Sequence, residues 1–200
     1  MSALPLILAS ASPRRRELLE RAGVCFEAAP VEVDERLGPD EAPEEAARRL
    51  AADKARAAAA LHGDRFVLAA DTLVVLDGRA LGKPADEDEA RAMLRALSGR
   101  EHTVVTGYAA AAPGGEPLRI DSAETAVRFD ELAERDIEWY VGTGEPMDKA
   151  GAYGIQGRAA ALVQRVSGSY TNVVGLPLAE ALALLAEVGW PGRPGEADAR

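Results

Sequence analysis

The order of apolar strand-like and helix-like segments, with two hairpin turns set among them, constrains this chain most. Leu6, Ile7, Leu8 and Ala9 read as a short buried strand. Ser12 then suits an N-cap, and Pro13 suits the first helical position, where its missing N–H is no loss. Gly23 ends that first helix, and Val24 to Pro30 reads as a second strand before an acidic turn, Val31-Glu-Val-Asp-Glu35. Residues 43–62 carry Pro43 near the start, glutamates in the first turn and an alanine-rich body, which predicts a helix. Arg65 to Ala70 reads as a third strand ending at Asp71-Thr72, and Leu73 to Leu76 continues extended into the hairpin signal Asp77-Gly78.

Residues 86–97 then read as a helix closed by Ser98-Gly99. Thr103–Ala112 and Leu118–Phe129 are extended and joined by Pro113-Gly-Gly115. A helix over 131–141, a glycine-rich loop over 142–157 around a short strand, a strand over 160–166 and an apolar helix over 177–188 complete the pattern. Alternating strands and helices with inserted hairpins argue a mixed α/β fold, a sheet flanked by helices with an antiparallel portion. The expected organisation is one domain over residues 1–189, with a Pro/Gly-rich, flexible tail over 190–200.

Composition narrows the function classes. The net charge is −10, so a nucleic-acid polymer would be repelled by most of the surface, while a small polyanion in one basic pocket stays compatible. No apolar run is long enough to span a bilayer, and the first residues lack a basic region and a cleavage site, which predicts a soluble cytoplasmic protein. Cys25 is the only cysteine, which excludes internal disulfides and a cysteine-based zinc site. His62 and His102 read most simply as a helix-end and a strand-start residue.

Arg14, Arg15 and Arg16 fall in the first turn of the first helix, beside the positive end of its dipole. Each charge there is unfavourable by roughly 0.3–1 kcal/mol. A strand, a small-residue turn and a helix N-terminus already form an anion site, and added cations suit a phosphate ester. The plainer alternative is a solvated basic turn paired to Glu17 or Glu20. Asp71, at the end of an apolar strand, suits either a catalytic or metal-binding carboxylate or a hydrogen-bonded turn residue. Asp34 and Glu35 are adjacent, so only one faces a site beside Asp71, and Glu35 is the one that could share a magnesium ion with it. Lys54, Lys83 and Lys149 are the only lysines in an arginine-rich chain. Lys54 and Lys83 either neutralise phosphate oxygens or are solvated, and Pro84 restricts Lys83 to extended geometry. In Gly151-Ala-Tyr-Gly-Ile-Gln-Gly157, Gln156 offers a donor and an acceptor suited to a base edge, unless the segment is only a glycine-rich connection. No Walker-type loop, dinucleotide fingerprint or nucleophile elbow is present.

Taken in order, these segments resemble the Maf family of nucleoside triphosphate pyrophosphatases, from Leu8 to about Leu185. The likeness rests on Ser12-Pro-Arg-Arg-Arg-Glu-Leu-Leu19, Val33-Asp-Glu35, Lys54, Ala70-Asp-Thr72, Leu81-Gly-Lys-Pro84 and Leu97-Ser-Gly99. It continues through Glu145-Pro-Met-Asp-Lys-Ala-Gly-Ala-Tyr-Gly-Ile-Gln-Gly157 and Gly168-Ser-Tyr-Thr-Asn-Val-Val-Gly-Leu-Pro177. The resemblance implies an elongated, ITPase-like α/β fold with two lobes and a central cleft, and a homodimer. It implies hydrolysis of a nucleoside triphosphate to the monophosphate and pyrophosphate with a divalent cation, Mg2+ or Mn2+. By position, Asp71 matches the water-activating base, Glu35 and Asp71 the metal-handling pair, and Ser10, Arg14, Arg15, Lys54 and Lys83 the phosphate-binding set.

Within the family, the 7-methyl-GTP branch resembles Ser-Pro-Trp, Ser-Asp-Gln and Ser-Glu-Gly at three positions. This chain has Pro13-Arg14, Asp71-Thr72 and Ile155-Gln156-Gly157 there, as in the dTTP/UTP branch, so Arg14, Thr72 and Gln156 are the expected specificity residues. Modified pyrimidine nucleotides, a 7-methyl-GTP pyrophosphatase and a nucleotide-binding regulator of septum formation without turnover are the alternatives it leaves open.

Overall fold

A computed structural model describes residues 6–38 and 41–192. The strands form one sheet in the order β2-β1-β3-β5-β6-β7, with β4 paired to β3. In chain order these are β1 (Leu6–Leu8), β2 (Phe26–Ala28), β3 (Val67–Leu76), β4 (Arg79–Leu81), β5 (Glu101–Ala111), β6 (Leu118–Phe129) and β7 (Val163–Ser167). The helices are α1 (Pro13–Arg21), α2 (Pro43–Leu61), α3 (Glu87–Leu97), α4 (Glu134–Val141), α5 (Tyr170–Val174) and α6 (Leu178–Glu187). Contacts divide the chain into two compact units. The first comprises the chain up to Asp71, Thr106–Ala123 and the chain from Gly175 onward; the second comprises Thr72–Val105 and Glu124–Val174.

In the first unit, β1 runs parallel to both β2 and β3, and its residues are almost wholly buried, as a central parallel strand requires. The Ser12 hydroxyl accepts from Arg15 N–H at 3.4 Å, and Pro13 opens α1, as its local sequence predicts. Strand alternation sends Ile7 and Ala9, Val67 and Ala69, and Ala109 and Ala111 into one apolar cluster. Against them α2 lays Ala51, Ala55, Ala58 and Ala59, a helical stripe of small side chains that lets the helix lie close to the sheet. Gly107 permits a close approach, because a Cβ there would run into the backbone carbonyl of Ala47 on α2.

In the second unit, Asp77 and Gly78 both have positive φ, 52° and 75°, and close the β3–β4 hairpin as its Asp-Gly signal predicts. Asp86 caps α3 by accepting Glu89 N–H at 2.8 Å. Phe129, Ile137 and Tyr140 are among the most deeply buried side chains.

Several elements depart from expectation. Asp71 does not end its strand: β3 continues through it, because Val74–Leu76 pairs with β4 and keeps Val74 and Leu76 buried. The 142–157 loop holds two 3-10 helical turns, Glu145–Asp148 and Ala150–Ala152, where a short strand was expected. Residues 158–162 form a further 3-10 turn, so β7 starts only at Val163. Of the expected tail, Trp190–Gly192 is without regular structure, and residues 193–200 lie outside the described residues.

Candidate active site

In the first unit, side chains from four segments meet at the carboxyl end of β1 and midway along β3. Asp71 shares the face of β3 that carries Val67 and Ala69, which is the face α2 covers. Lys54 lies on α2, within the turn spanned by Ala51 and Ala55. Its ammonium sits 2.6 Å from Asp71 Oδ1 and 2.6 Å from Glu35 Oε1. The side chains of Lys54 and Asp71 are only 10% and 15% exposed, whereas that of Glu35 is 61% exposed. One flank of the trio is therefore sealed by protein and the other faces water.

Of the acidic neighbours, Asp34 turns away to Arg36, whose guanidinium and N–H hold its carboxyl well below the usual carboxylate range. The segment bearing Glu35 is fastened by a residue the sequence did not single out. Arg49, also on α2, donates to the carbonyl of Arg36 at 3.1 Å and to both carboxylate oxygens of Glu41. This pairing holds the Glu41 carboxyl down at about 2. Its only sequence signal was a basic residue on the helix that also carries Lys54.

Ser10, buried just after β1, accepts Ser12 N–H at 3.2 Å and Arg15 Nη1 at 3.1 Å. Arg15 also donates from Nε to the carbonyl of Gly175 at 2.7 Å. It is 9% exposed, and burial lowers its affinity for the proton, with Asp71 and Glu35 opposing that shift. An arginine nonetheless stays cationic at any biological pH. The three arginines of the turn are thus sorted by burial: Arg15 is fixed inside, Arg14 is half-buried and Arg16 is exposed.

The remaining expected residues, Thr72, Lys83 and Gln156, belong to the second unit. Thr72 follows Asp71 in β3, so strand alternation sends it to the opposite face. Lys83 is exposed just after β4, and its neighbour Gly82 accepts Gly151 N–H at 3.0 Å. That bond ties the Lys83 segment to the segment that presents the half-buried Gln156. The third lysine is structural in its contacts: Lys149 donates to the carbonyl of Glu145 at 2.7 Å and to Asp148 at 2.6 Å.

Among the described residues no group of three or more His, Cys, Asp or Glu side chains gathers as a metal site. Two carboxylates converging on one point do fit a magnesium-like ion, which takes one or two carboxylates and completes its shell with water and phosphate oxygens. Lys54 occupies that point of convergence here.

The sheet order and flanking helices define a mixed α/β fold, a sheet with helices packed beside it. A HAM1 protein from Coxiella burnetii aligns over 92% of this chain and 99% of its own, with TM-score 0.52 at 20% identity. Residues 5–188 match the family described as Maf-like protein, and the chain belongs to that family. A dTTP/UTP pyrophosphatase of Symbiobacterium thermophilum is 55% identical over 186 residues, 93% of this chain and 95% of that protein. Proteins of the same name from Anaeromyxobacter dehalogenans and Geobacillus sp. are 54% and 50% identical, over 93% and 92% of this chain and 95% and 98% of their own. No helix among the described residues is long and apolar enough to cross a membrane.

Proposed function

We propose that this chain is a nucleoside triphosphate pyrophosphatase that hydrolyses dTTP and UTP to the monophosphate and pyrophosphate. The observation that carries the reading is the convergence of Glu35 and Asp71 on Lys54, next to the Ser10–Arg15 turn. The names of relatives at 50–55% identity support the reaction and the choice of pyrimidine nucleotides. Asp71 is the proton acceptor for the attacking water. Lys54 holds the Asp71 Oδ1 in place at 2.6 Å. Glu35 and Asp71 would hold a divalent cation, Mg2+ or Mn2+, which supplies charge neutralisation on the phosphates when bound.

Arg14, with Lys54 and Lys83, meets phosphate oxygens, where fixed cations stabilise charge that builds up in the transition state. Arg15 and Ser10 act in the same set from inside the turn, Arg15 keeping its positive charge while its fork fixes the turn to Gly175. Gln156 reads the pyrimidine edge, and Arg14 and Thr72 complete the specificity set. We further propose a cytoplasmic homodimer that removes unwanted nucleotides.

The test is a panel of nucleoside triphosphates with and without magnesium, read as pyrophosphate release. The expected result is metal-dependent turnover with dTTP and UTP preferred, lowered about 10²–10⁴-fold in Asp71→Asn, the usual worth of a general base. Turnover in that variant equal to the wild type would remove Asp71 from the mechanism. Preference for 7-methyl-GTP would move the chain to the other branch, and binding without turnover would make it a regulator.

A further inference from the structure

The segment that presents Gln156 is held by a carboxylate to which neither the family resemblance nor the proposed reaction gives a role. Glu145 opens the first 3-10 turn after α4. Its Oε1 accepts the hydroxyl proton of Tyr140 at 3.0 Å, and its Oε2 accepts Arg158 N–H at 3.1 Å. The Tyr140 hydroxyl in turn accepts Gly154 N–H at 3.2 Å, and Gly157 N–H closes the turn on the carbonyl of Gly154 at 3.0 Å. Ile155 and Gln156 are therefore the two residues of a turn pinned on both sides by one carboxylate and one phenol.

The glycines at the turn's ends belong to the same device. A Cβ at Gly157 would overlap the Glu145 carboxylate, and a Cβ at Gly154 would press on the Lys149 stem at 2.5 Å. Lys149 lies there because its ammonium donates to the carbonyl of Glu145. On the other flank Tyr153 is anchored by a 2.7 Å hydrogen bond to His102 Nε2 and by edge-on packing against His102 and Phe129. Tyr140 is fully buried, so the clamp stands on a fixed base.

We propose that Glu145 is a positioning residue for base selection, holding the Gly154–Gly157 turn so that Gln156 meets the pyrimidine at one fixed height. This rests on the reading that Gln156 faces the base. The Gln156 amide meets a donor–acceptor pair on a pyrimidine edge with good geometry only from a restricted set of side-chain rotamers, so how sharply it reads that edge depends on where its backbone is held. A flexible mount would let it serve both thymine and cytosine.

The experiment measures kcat and KM for dTTP and dCTP in wild type, Gln156→Ala, Glu145→Ala and the double variant, with thermal melting alongside. Gln156→Ala should lower the dTTP/dCTP ratio of kcat/KM by about tenfold, the worth of one hydrogen-bonded contact. Glu145→Ala should lower the ratio to a similar degree, chiefly through a raised KM for dTTP with kcat little changed. In the double variant the ratio should fall no further than in Gln156→Ala, because both changes act through one contact. Glu145→Gln, which keeps one acceptor oxygen, should recover part of the ratio. If Gln156→Ala loses discrimination and Glu145→Ala keeps it, even with a lower melting temperature, the positioning role is overturned and the base reading stands. If Gln156→Ala itself keeps the wild-type ratio, the base reading falls and this inference with it. Should Glu145→Ala not fold, Tyr140→Phe removes only the hydroxyl that links Glu145 to Gly154 and is judged by the same outcomes.

Discussion

Replacing Lys54 by methionine keeps its stem and removes its charge, which makes it the sharpest probe of the candidate site. The ammonium is the bridge between two carboxylates, each 2.6 Å away, so the two oxygens lie no more than about 5 Å apart. Two unit charges at that distance repel by about 3 kcal/mol at an effective dielectric of 20. Glu35 is well over half exposed, so solvent screening reduces this to about 1 kcal/mol. The Lys54–Asp71 pair is different, because both side chains are at most 15% exposed. Removing one partner of such a pair leaves a carboxylate in a poorly hydrated place and costs about 3–5 kcal/mol.

Lys54→Met should therefore lower unfolding free energy by about 3–5 kcal/mol in urea denaturation at pH 7, with the slope unchanged. Lys54→Met/Asp71→Asn should lose only about 1–2 kcal/mol, since the stranded charge is gone. Both variants should be nearly inactive in pyrophosphate release. A loss below about 1 kcal/mol for Lys54→Met, with no coupling to Asp71 in the double-variant cycle, would refute the buried bridge.

Three further outcomes follow from the structure. His102 is 3% exposed and burial pushes its imidazole down to about 4 from an ordinary 6.5, so its contribution is intact above about pH 6.5 and lost as pH falls toward 4. Relative to His102→Gln, the wild type should lose about 3 kcal/mol of stability between pH 7 and pH 4; parallel profiles would refute this. Gly107→Ala forces a methyl into the Ala47 carbonyl and should destabilise by 3 kcal/mol or more on the scale of severe overpacking, read as a fall in melting temperature. Arg15→Lys keeps the charge but cannot reach both Ser10 and the Gly175 carbonyl, so it should cost about 2 kcal/mol in urea denaturation.

The cap at Ser12, the Asp77-Gly78 turn and the alanine-rich helix α2 were all legible, because caps, turns and helix-forming composition act over a few neighbouring residues. Where single-residue signals misled, pairing with neighbouring segments overrode them. Asp71 reads as a strand end, yet β4 extends the ladder past it. The glycine-rich 142–157 stretch reads as a loop around a short strand, yet it holds two 3-10 turns, with Glu145 bonded to Tyr140 and Lys149.

For the site, the sequence by itself determined the chemistry on offer: an arginine turn after a buried strand, carboxylates at Glu35 and Asp71, and lysines at Lys54 and Lys83. It also determined the order of segments that resembles, and belongs to, the Maf family. Only the tertiary structure decided which charges share a partner. Glu35, Lys54 and Asp71 lie on a loop, a helix and a strand, and they meet because α2 packs its alanine face on the odd-numbered face of β3. Arg15 and Arg14 are equal in sequence, yet burial separates them, since the helix turn aims one side chain at Gly175 and leaves the other half-buried. Residue type and local geometry are written along the chain; burial and shared partners arise only when distant segments close on each other and exclude water.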